Sequence, residues 1–285
     1  MIMKRFFIIL SAICSIILFS CQKEAGFSNS SNSSGGGSGT RLAKVVQKQG
    51  ADSVVIEYTY DGSGRLTQEK ITGMSAGIDV SNTLKIIRNS SGIITQTIQI
   101  NAQFQQLGIA NVTTNYHYNT STNKYTSSVF SLTLSGFSTS DSTLYTYDAA
   151  GKIIKGDLYQ TITGQPYELS FKEEYSYSAA GNLDMIKESS YDPGTSSFDQ
   201  VASIAYTFDN KVNPLKLGTD GVAILRVSSY GPNNATKSEF TDLSDPTNNQ
   251  TSNIVYTYNS NNMPATATMT DTPGGAISTV IYYYQ

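Results

Sequence analysis

Apolar and polar residues alternate along most of the chain beyond residue 41. Phe130, Leu132 and Leu134 alternate with Val129, Ser131 and Thr133. Tyr167, Leu169, Phe171, Tyr175 and Tyr177 share one parity, opposed by Ser170, Lys172, Glu174 and Ser176. Ile94, Ile98, Ile100, Ala102 and Phe104 share another, with Gln96 as the exception. A period of two places these residues on one face of a strand, so the pattern predicts one-sided antiparallel sheet. No stretch carries a helical period. The apolar face must therefore be covered by the sheet itself, curled into a barrel, a sandwich or a spiralling half-pipe.

The strands are punctuated by a recurring turn. Tyr58-Thr59-Tyr60-Asp61-Gly62-Ser63-Gly64-Arg65-Leu66 reads as a strand end, a tight turn and a strand start. Asp61 can accept from the turn backbone, and Gly64 suits the positive φ that closes a short hairpin. Related signatures follow at Ile86-x-Arg88-Asn89, Tyr116-x-Tyr118-Asn119, Tyr145-x-Tyr147-Asp148, Tyr175-x-Tyr177-Ser178, Tyr206-x-Phe208-Asp209 and Tyr256-x-Tyr258-Asn259. Their second aromatic, or its equivalent, falls at 60, 88, 118, 147, 177 and 208, a period of about 30 residues. One hairpin per repeat fits that length. The rhythm breaks after Asp209, where Pro214 cannot donate within a central strand. One irregular connection and then a hairpin around 225–240 are expected there. The domain opens near Arg41–Val46 on a second-half strand and closes at Val280–Tyr284 on a first-half strand. The expected fold is all-β: an antiparallel β-meander of repeated hairpins, forming a curled or spiralling open sheet, with a closed barrel as the alternative. The open form is preferred, because a round ring of some fifteen strands has a lumen too wide for side chains to fill.

The motif Tyr58-x-Tyr60-Asp61-x-x-Gly64-Arg65-Leu66 resembles the YD repeat of RHS-type proteins. The stretch from Tyr206 to Pro214, then Asn233 to Lys237, then the Tyr-rich C-terminal strand, is similar to a family of uncharacterised, YD-like, lipid-anchored proteins of Gram-negative bacteria. The resemblance covers residues 41–285. It implies a β-meander of hairpins and an outer-envelope location, and it implies no activity. Only the first repeat is complete, so the sugar-binding role sometimes attributed to YD repeats transfers poorly.

The N-terminus adds an address. Lys4 and Arg5 precede an apolar run from Phe6 to Phe19, which ends Leu18-Phe19-Ser20-Cys21. That run is short for a membrane span and reads as a signal peptide over residues 1–20. Its end resembles the lipobox of bacterial lipoproteins, which makes Cys21 the expected lipidation site and a lipid anchor the expected membrane partner. Residues 21–40 then hold the lipidated cysteine and a Ser/Gly/Asn-rich tether that reaches roughly 20 Å. A single domain fills 41–285. No aspartate follows Cys21, which favours an outer-membrane lipoprotein on the periplasmic or cell-surface side.

Composition narrows the chemistry. With Lys4 and Arg5 removed, 17 basic residues face 22 acidic ones, and no basic stripe exists to neutralise phosphates, so nucleic acid is an unsuitable partner. Cys14 leaves with the signal and Cys21 is acylated, so no disulfide is expected. His117 is the one histidine and lies between Tyr116 and Tyr118 on the polar parity. No His/Cys cluster suggests a metal, and no motif suggests a cofactor. Glu173 and Glu174 are neighbours in sequence and point to opposite faces. Most of the nineteen tyrosines read as core. Tyr125 and Tyr283 have the opposite parity and, with His117, are the candidate binding residues. The expected function is that of a non-enzymatic cell-envelope lipoprotein, a binding or scaffolding module for a glycan or an envelope protein. The alternative is a carbohydrate-active enzyme whose carboxylate pair is hidden in the sequence. A lipid-facing barrel is a third reading, and Gln96, Glu173 and Lys187 on the apolar parity count against it.

Overall fold

The computed structural model describes residues 41–134, 137–162, 166–215 and 231–285. The expected signal peptide, Cys21 and the tether lie outside them. The strands are β1 (Leu42–Gln49), β2 (Asp52–Tyr60), β3 (Leu66–Ser75), β4 (Ile78–Asp79), β5 (Asn82–Arg88) and β6 (Ile94–Asn101). After helix α1 (Ala102–Gln106) come β7 (Val112–Asn119), β8 (Lys124–Leu134), β9 (Phe137–Tyr147), β10 (Ile153–Ile162), β11 (Glu168–Tyr177) and β12 (Leu183–Asp192). The last five are β13 (Ser197–Phe208), β14 (Ala235–Asp242), β15 (Gln250–Tyr258), β16 (Pro264–Thr272) and β17 (Ile277–Tyr284). Apart from β4, a two-residue rung beside β3, each strand pairs antiparallel with the next, β3 pairing with β5.

The ring closes. Leu42 pairs with Tyr284, Val45 with Tyr282 and Gln47 with Val280, and Arg41 and Gln285 exchange backbone hydrogen bonds. The preferred open spiral is thus corrected to a closed barrel of sixteen strands. The two half-repeats at the domain's ends complete one another and remove two exposed edges. The objection from lumen size does not apply, because the inner face is less apolar than the alternation suggested. Glu69, Thr97, Gln99, Asp141, Glu173 and Glu188 all face inward.

On the strands that follow a tyrosine turn, that misreading has one cause. Each of these strands carries one extra residue within its first three. Tyr60 faces Leu66 while Thr59 faces Gln68, which leaves Thr67 over. The same step leaves over Thr95, Thr126 and Thr236. A bulge leaves one carbonyl of the partner strand without its ladder donor. The threonine supplies that donor: Thr67 Oγ1 to Thr59 O at 3.0 Å, Thr95 to Ile87 O at 3.4 Å, Thr126 to His117 O at 3.3 Å and Thr236 to Thr207 O at 3.2 Å. Each bulge also flips the parity beyond it. Ile98 and Ile100 therefore face outward, and Thr97 and Gln99 take their inner places.

The tyrosine turns all lie at one end of the barrel, with Arg41 and Gln285 among them. Asp61 Oδ1 accepts from Ser63 N and Arg65 N at 2.9 Å, and Asn89 and Asn259 repeat the pattern. Gly64, Gly151 and Gly181 have φ of +79°, +84° and +89°, as the hairpin reading requires. The guanidinium groups of Arg41 and Arg65, one repeat earlier, lie against Gly64 and Gly92, where a Cβ would make them shift. Lysines in the same position reach forward to the next ring: Lys124 Nζ lies 4.7 Å from the Tyr147 centroid, and Lys152 Nζ 4.9 Å from that of Tyr177.

The second aromatic reaches backward. Tyr147 donates to Tyr125 O at 2.7 Å and Tyr284 to Pro264 O at 2.9 Å, each a buried residue at the start of the preceding second-half strand. This bond explains tyrosine in place of phenylalanine at 147 and 284; in the β15 repeat Tyr256 donates to Ala235 O at 2.9 Å while Tyr258 donates to Asp209 Oδ2. The backward bond also explains the degenerate repeat, where Arg88 Nη2 donates to Leu66 O at 3.2 Å in the same sense.

At the opposite end, Asn101 caps α1 by accepting from Gln103 N and Phe104 N. Phe104 and Ile109 then pack on Val112 and Leu132, so Ala102 and Phe104 belong to a helix that the strand pattern concealed. The hairpin expected around 225–240 is also corrected. Residues 216–230 fall outside the described residues, and Ala235–Asp242 is β14, paired across the long connection with β13.

Candidate functional site

The inner surface differs around the ring. On β15–β17 and β1 it is packed shut: Val45, Val280 and Tyr282 are at most 1 % exposed and Met269 is 2 %. On β9–β12 the inward residues midway along the strands, Thr143, Tyr145, Leu158, Phe171, Glu173, Tyr175 and Glu188, are half-buried. Solvent that reaches a side chain on the inner face meets it inside the barrel.

Titratable groups gather on that half-buried wall. Glu173 on β11 pairs in register with Gly156 on β10 and with Glu188 on β12. Gly156 in turn faces Tyr145 on β9. Its φ is unexceptional, so glycine serves space rather than conformation. A Cβ there would stand 3.2 Å from Thr143 Cγ2, 3.5 Å from the Tyr175 hydroxyl and 3.9 Å from Glu173 Oε2. The Tyr175 hydroxyl donates to Glu173 Oε2. Tyr145 shares a hydrogen bond of 2.8 Å with Ser128 on β8. Asp141 lies further along β9, opposite Gln160, and its Oδ1 is buried with no hydrogen-bond partner among the described residues.

Burial governs the electrostatics of this wall. It pushes the Glu188 carboxyl up to about 7, with the Glu173 charge adding to the effect. It raises Glu173 as well, against a smaller lowering by the Tyr175 hydroxyl. Asp141 is pushed up to about 6 by burial, partly offset by a hydrogen bond from Gln160. Tyr145 and Tyr175 are raised too, chiefly by burial. Among the described residues no lysine or arginine faces inward on β9–β12. Lys155, Lys172 and Lys187 all stand on the outer face, in ladders that run Lys155–Glu174–Lys187 and Asp157–Lys172 across the strands.

The residues expected to bind do not converge. Tyr125 is 2 % exposed and lies in the core. The bulge at Thr126 turns it inward, where its hydroxyl accepts from Ile94 N at 3.1 Å and its ring meets Tyr118 edge-on at 5.0 Å. Its parity assignment is corrected accordingly. Tyr283 does face outward on β17, with Lys44 Nζ 4.2 Å from its centroid. His117 faces outward on β7, exposed, opposite Ser127. The carboxyl pair was missed because Glu173 and Glu188 are far apart in sequence and only register brings them together. The available signal was Glu173 itself, a carboxylate on an otherwise apolar parity. Among the described residues no group of three His, Cys, Asp or Glu could hold a metal ion.

No protein-family model and no curated protein matches the chain. Solved structures do. A porin-like protein from Bacteroides uniformis matches with a TM-score of 0.50 at 13% identity, over 86% of this chain and 98% of that one. A porin-like protein from Bacteroides vulgatus matches with a TM-score of 0.51 at 12% identity, over the same shares. At these identities the likeness is one of fold alone. The crystal structure of TcdB2-TccC3-Cdc42 matches at a TM-score of 0.27 and 13% identity, over 82% of this chain and 14% of that one, too low to carry an argument.

Proposed function

We propose that the protein is a non-enzymatic, lipid-anchored binding module of the cell envelope whose ligand enters the barrel and lies against the β9–β12 wall. The observation that carries this reading is the half-buried inner wall that joins aromatic faces to carboxyl groups without an inward cation. Tyr145, Phe171 and Tyr175 offer ring faces, and Glu173 and Glu188 offer hydrogen bonds on either side of one rung. Rings with carboxyl hydrogen bonds suit a polyhydroxylated ligand such as a glycan.

The outer face supports a barrel surrounded by water. Glu57, Lys70, Lys85, Glu174 and Lys187 are exposed there, and Lys172 lies 3.1 Å from Glu174. Charges at mid-strand are costly against lipid, by about 2–4 kcal/mol each for Lys at the bilayer midplane. The membrane contact is assigned to Cys21. A Cys21→Ala chain should leave the membrane fraction; a chain that stays there, with no acyl mass on the wild type, would overturn the anchor.

The Glu173–Glu188 pair favours a second reading, carbohydrate hydrolysis. Glycosidase carboxyls flank a scissile bond. Glu173 and Glu188 stand side by side on adjacent strands of one wall, which fits binding better. Glycan-array screening of the soluble Cys21→Ala chain tests the site. Binding should be lost in Phe171→Ala and Glu188→Gln and kept in His117→Ala and Tyr283→Ala. The reverse pattern would place the site on the outer face. Turnover of a bound glycan that stops in Glu188→Gln would establish the enzyme.

A further inference from the structure

One rung of the inner wall runs Tyr145, Gly156, Glu173, Glu188, Ala202 from β9 to β13. Side chains opposite one another on one face of antiparallel strands have Cβ atoms about 5 Å apart. The groups that face the two glutamates can be named strand by strand. From β8 comes the Ser128 hydroxyl, from β9 Tyr145 and, further along, Asp141. From β10 comes Gly156, which brings nothing, and from β11 Tyr175 and Tyr177. From β13 come Ala202 and Ile204, which carry no charge. Two carboxylates at this spacing, with no counter-charge, resist double ionisation.

We propose that Glu173 and Glu188 hold one proton between them and make the β10–β12 wall a pH-responsive segment, tight in mildly acidic surroundings and loosened above neutrality. The Tyr175 hydroxyl donates to Glu173 and fixes that carboxylate as an acceptor. Among the described residues Glu188 accepts from no such donor, which makes it the natural holder of the proton. When the proton leaves, two like charges face each other across one rung. The segment does not depend on any ligand, so it stands or falls apart from the binding reading.

The direction follows from linkage. Glu188 has an ordinary value of 4.5 and stands at about 7 in the fold. A carboxyl raised on folding stabilises the fold fully while protonated, below its unfolded value. That contribution is lost as pH climbs from about 4.5 through about 7. Across that window the folding constant should fall on the order of a hundredfold.

Thermal unfolding and amide hydrogen exchange of the full chain, from pH 4.5 to 8.5, provide the test. In the wild type the melting temperature should fall with pH, and amides of β10–β12 should lose protection before those of β15–β17. E188Q should flatten most of this dependence. E173Q should do the same and serves where E188Q folds poorly. D141N should remove only its own share of the slope, leaving the difference between wild type and E188Q intact. An unchanged slope in both glutamine variants, or loss of protection first in β15–β17, overturns the proposal.

Discussion

The two walls of this barrel are built from the same repeat and end in different states. On the β15–β17 and β1 side, Val45, Met269, Val280 and Tyr282 exclude solvent almost completely. On the β9–β12 side, the same rows hold Tyr145, Phe171, Glu173 and Glu188, and solvent reaches them. Bulge, turn and tyrosine hydrogen bond are common to both. The difference lies in the middle of the strands, where one wall places aliphatic residues and the other places carboxyls and a glycine. The repeat's turn end thus sets the architecture, and the strand centres are free to vary. Stability should concentrate in one wall and chemistry in the other.

The sharpest way to break this comparison is to open the packed wall. Deleting Val280–Gln285 removes the strand segment that pairs with Leu42–Gln47. The expected outcome is loss of cooperative unfolding in the whole domain and rapid proteolysis at Arg41–Val46. A merely local loss would show that the ring does not act as a unit. Next in size are aromatic truncations. Tyr282→Ala should cost about 3–5 kcal/mol in urea denaturation, as for a large buried side chain. Phe171→Ala, on the half-buried wall, should cost less than half of that. Equal costs would erase the distinction.

Glycines sharpen the comparison further. Gly64→Val, at φ +79° and against Arg41, should cost about 1 kcal/mol or more. Gly156→Ala meets no positive φ and one contact at 3.2 Å, so it should cost less, while crowding Thr143 and the Tyr175 hydroxyl. The smallest effects belong to charges. At pH 8, Glu188→Met should be neutral or stabilising by about 1 kcal/mol, because a buried like-charged pair is removed. Lys187→Met, one residue away on the outer face, should change stability by less than about 0.5 kcal/mol.

The turn end of this architecture was legible in the sequence, and the strand centres were not. Asp61, Gly64 and Leu66 announce a hairpin through local chemistry alone, and the period of about 30 residues follows from their recurrence. A period of two, by contrast, holds only until a bulge intervenes. Thr95 sits one residue beyond Ile94, so a parity counted from Ile94 puts Ile98 and Ile100 on the wrong face. Thr126 does the same to Tyr125. The threonines that mark these bulges look like ordinary strand residues, since their role depends on a carbonyl eight or nine residues away. The Glu173–Glu188 pairing needs the register of β11 on β12, which the bulge at Asp184 shifts by one from what the turn alone suggests. Closure needed the meeting of residues 42 and 284, which share no sequence neighbourhood.

Antiparallel closure has a consequence for how such a ring can change size. Around a closed antiparallel circuit, strand directions must alternate without a mismatch, so the number of strands must be even. The genetic unit here is a hairpin, two strands at a time, and the half-repeats at β1 and β17 sum to one more. The ring can therefore grow or shrink by whole hairpins of about 30 residues and by nothing smaller. Each such step would keep every bulge, every forward-reaching cation and every backward tyrosine bond in place. It would alter only the circumference, and with it the breadth of the interior. Diameter in this architecture is a counted quantity, set by gene duplication or loss rather than by point substitution.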